Sequence, residues 1–298
     1  MSGDASTGAP LRAAPSEPAV ASLLARIRAL NESRALRDAE ARCVAEGARF
    51  FLAALASGAR AHAVGLCRSH CTAAARRAYE QARVRGVEHI RLTREELLSV
   101  SRRPDPDGLV AIVGAGARRA LPENCISQDR WLAFDHIRSP GNLGTLRRSA
   151  RATGARGAIA LSPRVDFFDP AAVRASMGAL FELELVSSSP AELAAWARRE
   201  HVRIVGASGE AVRDFRKIDW QGPVVLLLGG ERRGLSARER ELCDSLVAIP
   251  MEPGIDSLNV AIAGSLLLYE AYRAAPQGGP DRVRPSAGGA RPSRSRGP

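Results

Sequence analysis

The stretch that decides the fold reads Trp131-Leu132-Ala133-Phe134-Asp135, then Pro140-Gly141-Asn142-Leu143-Gly144-Thr145-Leu146-Arg147-Arg148, and beyond Thr153 Ala158-Ile159-Ala160-Leu161. A short apolar run, a glycine-bearing turn, a segment with apolar residues three apart and a second short apolar run spell strand, helix, strand. The alternation continues with a helix over 170–180, a strand over 182–186, a helix over 191–200 and strands over 202–207 and 224–228. A helix over 237–243, a strand over 246–249 and a helix over 258–274 complete it. Short apolar strands alternating with longer helices predict an α/β fold, a parallel sheet covered on both faces.

Upstream, residues 18–115 read as a smaller α/β unit, with helices over 19–30, 46–56 and 72–84 and strands over 63–66, 89–92 and 109–113. Composition shifts to a linker over 116–128, and the second domain is expected to occupy 129–275. Residues 1–17 and 276–298 are rich in Gly, Pro, Ser and Ala without apolar period, so both are expected to be disordered. The second of these carries Arg282, Arg284, Arg291, Arg294 and Arg296 against Asp281. Such a basic tail either adds loose, salt-sensitive phosphate contacts or serves only solubility.

The net charge of +11 comes almost entirely from arginine, Lys217 being the sole lysine. The planar guanidinium fork suits phosphates and base edges, which favours a nucleic-acid partner, although GC-rich coding produces the same bias. The five cysteines show no disulfide framework and fit a reducing, cytoplasmic setting. Cys67-Arg68-Ser69-His70-Cys71 has no second ligand pair at zinc spacing, so no metal site is expected. No basic region followed by an apolar core opens the chain, and its longest apolar stretch, 260–269, is too short to span a bilayer. The protein is expected to be soluble.

Three segments carry candidate chemistry, each where a strand gives way to a loop or helix. In the first, Asn142 and Arg148 flank a helix start whose free amides favour anions, with Arg147 beside them. The second follows the most apolar strand, Val224-Val225-Leu226-Leu227-Leu228, with Gly229-Gly230-Glu231 and then Gly234. A carboxylate there should have a partner, or it merely supports the helix starting at Ser236. In the third, Ile249-Pro250-Met251 leads through a glycine-bearing loop to Ser257-Leu258-Asn259-Val260. Ser257 is placed to cap the helix from Leu258, with Asn259 in its first turn, and the loop's bare backbone groups can grip a planar base. In the first unit Arg34, Arg37, Arg42, Arg102 and Arg103 stand at loops and helix starts, where they either meet phosphates or form solvated faces.

Together these segments closely resemble the three motifs of the SpoU/TrmH family of RNA ribose 2′-O-methyltransferases, and Arg174-Ala175-Ser176-Met177-Gly178-Ala179 resembles the family's segment between the first two. The first unit resembles, at Glu46-Gly47-Ala48-Arg49 and Gly108-Leu109-Val110-Ala111, the small α/β/α substrate-binding domain of rRNA-modifying members. The resemblance implies a deep trefoil knot, S-adenosylmethionine as methyl donor, an obligate homodimer and an RNA substrate, with the extra domain favouring rRNA over tRNA. It implies that Asn142, Arg148, Glu231, Ser257 and Asn259 serve the chemistry, with Glu231 positioning Arg148 or the ribose. Leu228, Gly229, Gly230, Gly234, Ile249, Met251, Ser257 and Leu258 would hold the cofactor, and Arg34, Arg37, Arg42, Arg102, Arg103 and Arg147 the RNA. One departure stands out: the second motif usually reads glycine, asparagine, glutamate, and here Gly230 takes the asparagine position. That loss keeps alive a non-catalytic, RNA- or ribosome-binding paralogue as the alternative. A dinucleotide enzyme is disfavoured, because no G-x-G-x-x-G follows the first strand of the domain. The final helix is apolar round nearly its whole circumference, so it is expected to be buried on most sides, as in a dimer.

Overall fold

The computed structural model describes residues 17–116 and 120–274. The expectations for 1–16, for part of the linker at 117–119 and for the basic tail lie outside the described residues. In the first unit α1 (Glu17–Glu32), α2 (Arg34–Glu40), β1 (Arg42–Glu46), α3 (Ala48–Ala56), β2 (Ala61–Leu66), α4 (Ala73–Val84), β3 (Glu88–Arg91), α5 (Arg94–Val100) and β4 (Leu109–Gly114) succeed one another. The strands form a sheet in the order β1-β4-β2-β3, with β4 antiparallel to both neighbours and β2 parallel to β3.

Alternation along β4 sends Val110 and Ile112 into one core with Leu23, Ile27 and Leu97, and Leu109, Ala111 and Val113 into another with Phe51, Ala75 and Tyr79. Helices therefore cover both faces. Three elements are not visible in the sequence pattern: α2, β1 and α5. Residue Glu46, expected to start a helix, ends β1, and α3 begins at Ala48. Its first amide donates to Asp107 Oδ2 at 2.8 Å, so the capping group comes from a distant loop that local pattern cannot reveal.

The second unit runs β5 (Arg130–Phe134), α6 (Pro140–Ala152), β6 (Gly157–Ala160), α7 (Pro170–Ala175), β7 (Glu184–Ser187), α8 (Pro190–Arg199), β8 (Arg203–Ala207), β9 (Val224–Leu228), α9 (Ala237–Glu241), β10 (Ser245–Val247) and α10 (Val260–Ala274). All six strands are parallel, in the order β10-β8-β9-β5-β6-β7. The helix expected over 170–180 stops at Ala175, Met177 takes a φ of 54° and a short 3-10 turn comes next. At the break Gly178 takes a positive φ of 93°, which ends the helix locally, and Arg49 Nε of the first unit donates to the Met177 carbonyl at 2.9 Å. After β10, at one edge of the sheet, the chain returns to its middle, where Gly264 of α10 fits against Leu146 of α6 and Leu228 of β9.

The two units share a core, since one cluster of buried side chains runs from Phe50 and Phe51 through Phe167, Phe168 and Leu180 to Leu132 and Leu228. Two arginines expected to bind RNA lie in this joint. Arg37 is 5% exposed; it donates to the Leu30 carbonyl at 2.6 Å and pairs with Asp166 of the second unit at 2.5 Å. Arg147 is fully buried, donating to the carbonyls of Leu143 at 3.3 Å and Phe167 at 2.6 Å. Burial pulls its pKa down to about 10. Contrary to the expectation that they meet RNA, both guanidiniums are buried on protein partners, Arg37 across the joint on Asp166 and Arg147 on the Leu143 and Phe167 carbonyls.

Candidate active site

β5 and β9 are neighbours, with Phe134 opposite Leu228, so the segments that leave the two strands lie side by side at the carboxyl edge of the sheet. Beyond β5, Ser139 caps α6 by accepting from the Asn142 amide at 3.3 Å, and Pro140 occupies the first helical position. Beyond β9, Gly230 and Gly234 exchange backbone hydrogen bonds of 3.0 and 2.9 Å, which closes a tight loop. Gly229 makes that closure possible: a Cβ there would lie 2.0 Å from the Gly234 carbonyl carbon. The loop presents Glu231, whose Oε1 accepts from the Ser139 amide at 3.1 Å and from Asn142 Nδ2 at 2.7 Å.

Asn142 Oδ1 in turn accepts from Asn259 Nδ2 at 3.1 Å, and Asn259 Oδ1 accepts from the Ala261 amide at 2.8 Å. The three segments thus meet in one hydrogen-bond chain. A carboxylate at one end can only accept and a helix amide at the other can only donate, so both asparagine amides have a single orientation that satisfies the chain. Asn259, not Ser257, caps the last helix, which starts at Val260 and not at Leu258. Ser257 is exposed and makes no side-chain hydrogen bond among the described residues. Asn259→Ala is expected to cost about 1 kcal/mol through the lost cap and to release Asn142; urea denaturation read at the α10 amides by hydrogen exchange checks it.

Arg148 is exposed on α6 and has no hydrogen bond or ion pair among the described residues. Six residues at about 100° each put it roughly 120° round the helix from Asn142, so only its long side chain can reach the same ligand. Of the two partners expected for Glu231, Arg148 or the ribose, Arg148 is not bonded to it among the described residues; its bonded oxygen serves Asn142 and the Ser139 amide. Ile249, Met251 and Leu258 are half-buried around a loop with few internal bonds, the Ile255 amide to the Glu252 carbonyl at 3.3 Å being one. Among the remaining RNA candidates, Arg102 is exposed and Arg103 half-buried; Arg42 pairs with Glu40 at 3.6 Å, and Arg34 donates to the Val165 carbonyl at 2.9 Å. Cavities of about 560 and 760 Å³ lie between the two units, and no residue of the three segments lines either. The candidate site lies instead at the carboxyl edge of the sheet, where β5 and β9 end. Two of its neighbours, His136 and Ser139, are not singled out by the motifs, although Ser139-Pro140 is a helix-start signal.

Residues 129–269 match the SpoU rRNA Methylase family, and residues 24–111 match the MRM3-like substrate binding domain. The chain is 32% identical over 201 residues to the 23S rRNA (guanosine-2′-O-)-methyltransferase RlmB of Coxiella burnetii, covering 65% of this chain and 80% of that protein. The chain belongs to the SpoU family. Within it, the 23S rRNA (uridine(2479)-2′-O)-methyltransferase of Streptomyces viridochromogenes is 43% identical over 146 residues, 47% of this chain and 51% of that protein. The chain spans about half to two thirds of the length of three of the curated relatives it matches. The crystal structure of the SpoU methyltransferase AviRb from Streptomyces viridochromogenes in complex with the cofactor AdoMet superposes with a TM-score of 0.74 at 31% identity, covering 84% of this chain and 97% of that one. The segments that meet in the hydrogen-bond chain fall within the part matched to the SpoU family.

Proposed function

We propose that this SpoU protein transfers a methyl group from S-adenosylmethionine to a ribose 2′-hydroxyl of rRNA. The observation that carries the reading is the chain Glu231–Asn142–Asn259, which joins all three segments at one sheet edge beside an unpaired Arg148. The donor set fits the cofactor: the loop over 249–258 offers backbone amides and carbonyls with little internal bonding, and Glu231 brings a carboxylate to the same sheet edge, where it would favour a cationic group. When bound, S-adenosylmethionine supplies an already activated methyl, so the protein has to align the acceptor and stabilise the developing alkoxide. A guanidinium is not readily deprotonated, so Arg148 holds the adjacent phosphate and polarises the hydroxyl. Glu231 and Asn259 lock Asn142, which leaves the acceptor side of the site rigid. Backbone groups at Leu228, Gly229, Gly230, Gly234, Ile249, Met251, Ser257 and Leu258 cradle the cofactor, and Arg34, Arg42, Arg102 and Arg103 approach RNA phosphates.

The return of the chain from β10 to α10 supports a deep trefoil knot in this unit. α10 supports a homodimer: it buries Ala261, Gly264, Leu267, Leu268 and Ala271 within the chain but leaves Ile262, Leu266 and Tyr269 at 54%, 43% and 53% exposure. Three large apolar side chains along one helix face call for a cover, and a second copy provides it. Incubation with labelled S-adenosylmethionine and rRNA should yield 2′-O-methylnucleotides, and RNA affinity should fall steeply with salt as counterions are released. Cofactor binding without transfer to any RNA would instead support the non-catalytic paralogue. Sedimentation should show a dimer at micromolar concentration, and Leu266→Asp should split it; a stable, folded wild-type monomer would refute the dimer.

A further inference from the structure

We infer that His136 belongs to the site and supplies the polar group that the second motif lacks at Gly230, as a residue that binds S-adenosylmethionine. The inference rests on the cofactor assignment proposed above. The glycines at 229 and 230 have different reasons to be there. Gly229 is imposed by the Gly234 and Leu235 backbone, which a Cβ would penetrate. Gly230 has no positive φ, and within 4 Å a Cβ there would meet only His136, its Cβ at 3.1 Å and its carbonyl oxygen at 3.5 Å. The space for a side chain at 230 is therefore limited by one residue, and that residue carries its own polar ring.

His136 sits in the short loop between β5 and Ser139, whose amide binds Glu231, so it shares an edge with the hydrogen-bond chain. Its Nδ1 contacts Asp135 Oδ2 at 2.6 Å, and the side chain is 43% exposed. Nε2 has no partner among the described residues. In the neutral ring, with Nδ1–H donating to the carboxylate, Nε2 is left as an acceptor, held in direction by Asp135. An asparagine at 230 would bring an amide acceptor into the space beside His136. The two arrangements compete for one space: a side chain at 230 requires His136 to give by a few tenths of an ångström. Because the contact is with the His136 Cβ, only glycine at 136 removes it. The ligand groups that suit a fixed acceptor are the donors of S-adenosylmethionine, its ribose hydroxyls and amino groups.

Calorimetry on the full chain with S-adenosylmethionine and S-adenosylhomocysteine tests this without reference to turnover. His136→Ala should weaken both ligands at least about tenfold, or ~1.4 kcal/mol, and His136→Asn should stay within about threefold of wild type. Gly230→Asn alone should weaken binding by about tenfold, and the double variant His136→Gly/Gly230→Asn should return to within about threefold. A merely structural role for His136 would not produce that reciprocal rescue. Unchanged affinity in His136→Ala, or a double variant no better than Gly230→Asn, would overturn the inference while leaving the cofactor assignment intact. A wild-type protein that binds neither ligand would instead overturn the proposed function itself.

Discussion

Arg148→Ala is expected to slow methyl transfer by about 10²–10³-fold, about 3–4 kcal/mol at the transition state, a magnitude typical of removing a preorganised charge-stabilising donor. Cofactor affinity should move by less than about tenfold, or ~1.4 kcal/mol. The asymmetry comes from where the residue stands: it is exposed, unpaired among the described residues and apart from the hydrogen-bond chain that ties the loops together. Truncation therefore removes a group that acts on RNA without loosening the loops assigned to the cofactor. Arg148→Lys should fall between, since an ammonium keeps the charge but not the bidentate fork. Single-turnover transfer of labelled methyl, paired with calorimetry, measures both quantities. An equal loss of cofactor binding, or a rate within a few-fold of wild type, would remove Arg148 from the assigned role.

The second large effect lies far from the chemistry. Asp166→Ala should destabilise the protein by about 3–5 kcal/mol, because it strands a buried guanidinium. The side chains of Arg37 and Asp166 are 4% and 17% exposed, and the pair bridges the two units. Asp166 Oδ1 also accepts from the Phe168 amide at 3.0 Å, so the same change loosens the loop ahead of α7. Removing both charges, as Arg37→Met/Asp166→Ala, should recover much of the loss. Arg147→Met should cost far less than Asp166→Ala. That guanidinium has no ion pair among the described residues, and burial, which lowers its pKa to about 10, opposes its own hydrogen bonds. A lowered base pKa means that the burial penalty is fully present below the folded value and eases only above it, so the contrast should hold unchanged across about pH 6–9. Urea denaturation of the three variants provides the comparison, and an Asp166→Ala loss under about 1 kcal/mol would show the bridge to be peripheral.

The joint also bears on how the two units cooperate. Composition and motifs suggest a phosphate-gripping module and a chemical module in series. Buried side chains from both form one core, and Arg37, Arg34 and Arg49 all bond across it. Arginines that composition assigns to RNA are therefore divided between structural and exposed roles, a division that net charge cannot express.

Much of the site is legible in the sequence because its parts are local. A glycine forced by close backbone approach, an asparagine at a helix start and a carboxylate after a buried strand each announce themselves within a few residues, as at Gly229, Asn142 and Glu231. The alternation of apolar runs likewise determined an α/β protein, since a strand buried on both faces must be short and apolar, as Val224–Leu228 is. What only the tertiary structure decided depends on residues far apart in the chain. Asp107 caps α3, Arg49 bonds across the joint to the Met177 carbonyl, and Asn259 rather than Ser257 starts α10 and meets Asn142. Strand order belongs to the same class, because periodicity records which face a residue shows and nothing about which strand lies beside it. Whether an arginine meets solvent or a buried carboxylate is settled by packing, and Arg37, Arg147 and Arg148 share one side-chain chemistry while standing in three different environments.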